Sequence, residues 1–182
     1  TLVAAIEQGI DPNTMIDASA TAKLPGWEVA NINHTNYGTK SIADAFAVSS
    51  NTAFARLILS IGPDKVVDVA KRMGITSPLT ATGSLTLGSE SVTPLEMANA
   101  YATIANGGTH YDPECVERIV DRNGSIVVDN SAPKGERAIS AEVAHAATEV
   151  MKSVVHASEG TGTRAKLDNG QEVAGETGTS SE

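Results

Sequence analysis

Helix starts and stops are written into this chain more densely than any other signal, and they commit it to a helix-rich fold. Thr93-Pro94-Leu95-Glu96 offers an N-cap threonine, a proline at the first helical position and a glutamate three residues after the cap. Met97, Ala100, Tyr101 and Ile104 follow at helical spacing until Asn106-Gly107-Gly108 stops the run. Ser41-Ile42-Ala43-Asp44 has the outline of the same box, with aspartate where glutamate is usual, and predicts a helix to about residue 48. Ser49-Ser50-Asn51 breaks it. A second helix is predicted over 52–61, with Phe54, Leu57, Ile58 and Ile61 on one face. Pro63 opens another, with Val66, Val67, Ala70 and Met73 as its stripe and Gly74 as its stop. Ser140 caps a long helix to about residue 156, with Val143 in its stripe. At the start of the chain, residues 2–8 read as the end of a helix closed by Gly9.

Strand signals are fewer. Residues 117–121 and 125–129 flank Arg122-Asn123-Gly124, a strong hairpin signal. Residues 172–177 predict a strand. Residues 11–40, with Pro12, Pro25, Gly26, Trp27, several Asn and Gly38, predict an irregular segment. A loop of that length inside a compact domain is usually functional. Gly160-Thr161-Gly162 reads as a flexible loop. The pattern has no repeats.

With 41% apolar residues but only 3% aromatic, the core must be built from Ala, Val, Ile and Leu. A length of 182 residues suffices for one domain with a real core. The net charge of -9 argues against a nucleic-acid partner, because phosphate binding needs clustered Lys and Arg. No apolar run approaches the roughly 18 residues of a membrane span. Cys115 is alone, which excludes an internal disulfide, and its acidic neighbours Glu114 and Glu117 are unlike the electropositive setting of a nucleophilic thiolate. His34, His110, His145 and His156 show no paired spacing, so neither a metal site nor a cofactor is expected.

Two short stretches carry chemistry. Ser49-Ser50-Asn51 is a Ser-x-Asn turn opening a helix, and Glu176-Thr177-Gly178-Thr179-Ser180 follows the predicted strand. Serine acyltransferases acting on D-alanyl peptides and β-lactams combine Ser-x-x-Lys, Ser-x-Asn and Lys-Thr-Gly. Here Ser-x-Asn is intact and the Lys-Thr-Gly element begins with glutamate. For Ser-x-x-Lys, Ser19 to Lys23 has the wrong spacing, and Thr163 to Lys166 has the spacing without the serine. A hydroxyl and an amine in a loop lack the fixed hydrogen bond that activates a nucleophile. Ser49 and Asn51 also read as ordinary helix-capping residues. Trp27 and Tyr37 could line a cleft or pack in the core.

Read in order, these segments resemble the transpeptidase domain of high-molecular-weight, class A penicillin-binding proteins. Ser49 to Phe54, Leu87 to Ala98, Ala100 to Gly108 and Gly160-Thr161-Gly162 all fit in order and spacing. The resemblance implies a partial serine β-lactamase/penicillin-binding fold, α-rich α+β: helices around a buried helical hairpin, packed on an incomplete antiparallel sheet. It implies one partial domain over 1–182, truncated at both ends. The nucleophile and its lysine would fall just before Thr1, and the isolated chain would be inactive and prone to self-association. Ser49 would relay a proton and Asn51 would present its amide to the substrate. Thr177 and Thr179 would bind the substrate carboxylate, with the Thr179 N–H in the oxyanion hole. Gly178 would allow close backbone approach.

Glu176 stands where the family has lysine. At an effective dielectric near 20, unit charges 4 Å apart interact by about 4 kcal/mol, so the reversal of sign is consequential. It reads equally as natural degeneracy or as an introduced residue. The implied function is part of a peptidoglycan D,D-transpeptidase, with stem peptides and β-lactams as partners, on the extracytoplasmic face of the membrane. Carboxypeptidases and β-lactam sensors share the motifs; the 87–108 segment favours the cross-linking group. A degenerate, non-catalytic binding module is the alternative.

Overall fold

A computed structural model describes residues 1–178. In chain order its elements are α1 (Leu2–Glu7), β1 (Met15–Asp17), β2 (Thr21–Leu24), β3 (Trp27–Ala30), β4 (Thr39–Ser41), α2 (Ile42–Ala47), α3 (Asn51–Ile61) and α4 (Pro63–Arg72). They continue with α5 (Pro94–Ala105), β5 (Thr109–His110), β6 (Arg118–Val120), β7 (Ile126–Asp129), β8 (Glu136–Arg137) and α6 (Ala141–His156). The fold is the expected α-rich α+β type.

The helices begin where their caps dictate. The Ser41 hydroxyl accepts from the Asp44 N–H at 3.0 Å, and the Ser140 hydroxyl accepts from the Val143 N–H at 3.2 Å. Thr93 and Glu96 form a complete reciprocal capping box. Three helices end on a left-handed glycine with the paired backbone bonds of a Schellman motif. These are α1 at Gly9 (φ 82°), α4 at Gly74 (φ 98°) and α5 at Gly107 (φ 63°).

The core is aliphatic, as composition requires. Ala4, Ala5, Ala45, Ala53 and Ala144 are buried between helices, and their small side chains let α1 and α2 pack against α6 and against α3. Leu57, Ile58, Val150 and Met151 fill the space around them. Phe46 and Phe54 add one tilted aromatic pair with ring centroids 5.4 Å apart.

The β-structure differs from the expectation in two places. Residues 11–40 are not irregular: β2 and β3 form a hairpin with Leu24 opposite Trp27. Pro25-Gly26 turns it, with Gly26 at φ 82°. Proline then glycine is the signature of a type II turn, which needs positive φ at its third position. β1 pairs with β4, Ile16 opposite Lys40. The second difference is the strand expected over 172–177, which does not form. A strand needs a neighbouring backbone, and this run is held instead by α6: Lys152 binds Glu172 at 2.8 Å, His156 Nε2 accepts from the Val173 N–H at 3.2 Å, and the Met151 carbonyl accepts from the Gly175 N–H at 3.3 Å. The β6–β7 hairpin forms as predicted, with a register shift at Ile119/Val120. Instead of one packed sheet, the described strands make four separate antiparallel pairs.

One carboxylate ties the middle of the chain together. Glu96 accepts from the N–H and hydroxyl of Thr76, of Ser77 and of Thr93, at 2.6 to 2.9 Å. Bonds from the Ser77 hydroxyl, then the Thr93 N–H and the Thr76 hydroxyl, hold the carboxyl far below the usual carboxylate range. A depressed carboxyl stabilises the fold above its unfolded value near 4.5 and loses that contribution as pH falls towards the folded value. The expected outcome is that Glu96→Gln lowers Tm at pH 7 and removes part of the Tm loss between about pH 5 and 2. Thermal melts across that range check it; parallel curves for the two proteins would refute it.

Candidate active site

The site begins with two helices joined without a linker. α2 ends at Val48, and the Ser49 N–H donates to the Phe46 carbonyl at 2.9 Å while the Ser50 N–H donates to the Ala45 carbonyl at 2.8 Å. These are the two bonds of a Schellman motif, with Ser49 in the left-handed position at φ 51°. Ser50 then caps α3, its hydroxyl accepting from the Ala53 N–H at 3.3 Å. The capping role that Ser49 and Asn51 could have filled therefore belongs to Ser50. Ser49 occupies the position that α1, α4 and α5 give to glycine. A side chain there costs about 1–3 kcal/mol of backbone strain, so the hydroxyl is retained against a local preference for no side chain at all.

Asn51 is the first helical residue of α3, and its Nδ2 donates to the Ala30 carbonyl at 3.0 Å. The second motif meets the first in space. The Ser49 hydroxyl and the Thr177 N–H lie near the Glu176 carboxyl and favour its charged form. Glu176 is exposed as a residue, yet it helps to line a largely apolar cavity of about 270 Å³ with Leu2, Phe46, Met97, Tyr101 and Met151. Burial pushes that carboxyl above the usual range, opposed by the bonds from Ser49 and Thr177. Tyr101 is raised too, by burial first and by the Glu176 charge second.

Thr177 is fixed by a residue the motifs did not single out. Its hydroxyl and that of Thr161 are 2.8 Å apart. Gly160-Thr161-Gly162 is a packed bridge rather than a flexible loop. The Thr161 N–H donates to the Ala47 carbonyl at 3.1 Å, and the Gly162 N–H donates to Val154 at 2.9 Å. A Cβ on Gly160 would stand 2.3 Å from the Val154 carbonyl oxygen, so only glycine permits this approach to α6. The helical stop after α6 and the small residues around Thr161 were the available signal. Gly178 is different: a Cβ there would meet nothing within 4 Å, and its φ is not left-handed. No contact among the described residues requires that glycine. Thr179 lies outside the described residues.

The other candidates stand apart. Trp27 packs beside Ala22, Val29 and Ala55, and Tyr37 packs on the main core. Cys115 is exposed. A Ser-x-x-Lys spacing that motif reading passed over does occur, at Ser131 to Lys134. It lies in an exposed irregular segment containing Pro133, and the Ser131 hydroxyl donates to Asp129, not to a lysine. It lacks the helix that sets serine and lysine one turn apart.

The model of the penicillin binding protein transpeptidase domain matches residues 1–182. The chain belongs to the penicillin-binding protein transpeptidase family. Penicillin-binding protein 1A of Mycobacterium tuberculosis is 32% identical over 98% of the chain and 23% of its own length. The structure of the penicillin-binding protein PonA1 from the same organism superposes with a TM-score of 0.87 at 31% identity, covering 99% of this chain and 50% of that one. A penicillin G acyl-enzyme complex of penicillin-binding protein A, also from M. tuberculosis, superposes at 0.75 with 29% identity over 83% and 40% of the two chains. The chain thus spans about a quarter of the curated relative and half of the solved one. The class A, high-molecular-weight resemblance and the fold it implied both hold.

The strain at Ser49 yields a test that separates stability from chemistry. Ser49→Gly is expected to raise stability by about 0.5–1 kcal/mol, a Tm gain of roughly 1–4 °C. Denaturant melts of the two proteins check it. A stability loss would mean that the Ser49 side chain serves the fold.

Proposed function

We propose that these residues form the relay and substrate-strand part of a serine D,D-transpeptidase site that cross-links peptidoglycan stem peptides and is acylated by β-lactams. The observation that carries the proposal is the Thr161 bridge, whose hydroxyl lies 2.8 Å from that of Thr177 while its N–H donates to Ala47, two residues before Ser49. It joins the Ser-x-Asn turn to the Glu-Thr-Gly run, and Ser49 in that turn takes the left-handed position that α1, α4 and α5 give to glycine. Membership of the family supports the reading, as does the acyl-enzyme form of a relative.

In this reading the Ser49 hydroxyl both accepts and donates, passing a proton between the attacking serine's lysine and the leaving or entering amine. Asn51, held by Ala30, sits beside it to meet the substrate's peptide bond. Thr177, held by Thr161, and Thr179 receive the substrate carboxylate, and Gly178 leaves room for the extended peptide. Ser49 is the relay and not the acylated serine, and Ser131 stands in the wrong setting for that role. Activity on stem peptides places the working protein at the extracytoplasmic face of the membrane.

Glu176 favours a second reading, a non-catalytic module that docks peptidoglycan or a protein. A carboxylate beside the relay repels both an anionic substrate and the negative charge of the transition state. Two measurements decide. The 182-residue chain alone is expected to show no mass gain after incubation with benzylpenicillin; a one-drug adduct on any of its serines would overturn the assignment of Ser49. In the full-length protein, Glu176→Lys is expected to raise the second-order acylation rate, by up to about a hundred- to thousand-fold if one full electrostatic group is restored. Asn51→Ala and Thr177→Ala are expected to lower it. A full-length protein that takes up no β-lactam, with or without Glu176→Lys, would favour the docking module.

A further inference from the structure

Asn31 is 3% exposed and lies in the bend after β3, far in sequence from either motif. Its side chain is the hub of a buried polar network. Nδ2 donates to the carbonyls of Ala18 (3.1 Å), Ser19 (3.1 Å) and Thr35 (2.9 Å). Oδ1 accepts from the Ser50 hydroxyl (3.1 Å), the Thr52 N–H (3.1 Å) and the Thr52 hydroxyl (3.2 Å). Ser50 is 1% exposed and Thr52 is fully buried, so no water competes for these bonds. The Thr52 hydroxyl also reaches the Ser19 carbonyl at 2.8 Å. The preceding residue adds the Ala30 carbonyl, which takes the Asn51 amide.

Two consecutive residues, 30 and 31, thereby hold all three residues that follow Ser49. This matters because Ser49 is strained. A non-glycine residue persists at φ 51° only where its surroundings over-determine it. The Schellman bonds fix its N-terminal side, and Asn31 fixes its C-terminal side. No other side chain type supplies both halves of this job at that size: Asp has the acceptor without the donors, and Leu has neither.

We propose that Asn31 is the positioning residue of the acyl-transfer site. Through Ser50 and Thr52 it holds Ser49 in the left-handed conformation and so aims the Ser49 hydroxyl at the reacting groups. This rests on the transpeptidase reading of the site, and the test separates the two.

The experiment uses the full-length protein with a fluorescent penicillin. Acylation rate constant, non-covalent affinity and pH profile are measured for wild type, Ser49→Ala, Asn31→Ala and Thr52→Val. Thr103→Val serves as the control: Thr103 is equally buried, and its hydroxyl bonds run to the Asn99 carbonyl and His110 Nδ1 and not to the network. Asn31→Ala is expected to lower the acylation rate constant about tenfold or more, with affinity unchanged and the pH profile shifted as in Ser49→Ala. Thr52→Val, which removes the hydroxyl's bonds to Asn31 and Ser19 and keeps the Thr52 N–H on Asn31, should shift both in the same direction by a smaller factor, and it carries the test if Asn31→Ala does not fold. Thr103→Val should lose Tm with rate and profile intact. Amide hydrogen exchange at residues 49–53 is read in parallel, and Asn31→Ala or Thr52→Val should lose protection there while Thr103→Val does not. Wild-type rate and profile in both network variants would overturn the proposal, as would unchanged exchange at 49–53. If wild type takes up no penicillin, the transpeptidase reading falls, and the exchange result still decides whether Asn31 holds the turn.

Discussion

The arrangement at the candidate site depends on one junction: a Schellman motif ending α2 and an N-cap opening α3, with only residues 48–50 to serve both. The last carbonyls of one helix and the first N–H groups of the next each need partners. With no intervening loop, the chain must reverse its local handedness at a single residue. That residue is Ser49, and its φ of 51° follows from the backbone bonds on either side. The tilted pair of Phe46 and Phe54 clamps the two helices across the junction. The result is a hydroxyl presented on a rigid, short turn, which suits a group that must pass a proton without moving.

Packing then brings the second motif to that turn. α2 and α6 lie close because alanines line their contact, and Gly160 lets the chain leave α6 almost touching the Val154 carbonyl. This close exit lets the Thr161 N–H bond to the Ala47 carbonyl, at the end of α2, while its hydroxyl reaches Thr177. The path from α6 to Glu176 is a sequence of specific bonds. The carboxyl that arrives beside Ser49 is partly desolvated against Tyr101 and the apolar cavity, so its charged form is disfavoured.

Much of this was legible in advance wherever the physics is local. Thr93 with Glu96, Ser41 with Asp44 and Ser140 with Val143 are bonds between residues three apart, so caps read from spacing formed as expected. Pro25-Gly26 was equally local and was passed over, because the surrounding asparagines and glycines suggested a loop rather than a type II hairpin turn. The run 172–177 has the composition of a strand, but strand formation needs a partner backbone and the described chain offers α6 instead. Ser131 to Lys134 has the spacing of the nucleophile motif without the helix that gives the spacing its meaning.

By itself the sequence determined where helices start and stop, that the core is aliphatic, and that Ser49, Asn51, Thr177 and Gly178 match the family's motifs while Glu176 departs from them. Each of these rests on bonds within a few residues or on side-chain chemistry alone. Only the tertiary structure decided that Ser50 and not Ser49 is the cap, that Asn31 reaches across to bond Ser50 and Thr52, and that Thr161 ties Thr177 to the end of α2. Those contacts join segments whose separation along the chain carries no periodic signal, and they exist because helix packing around α6 removes the alternatives.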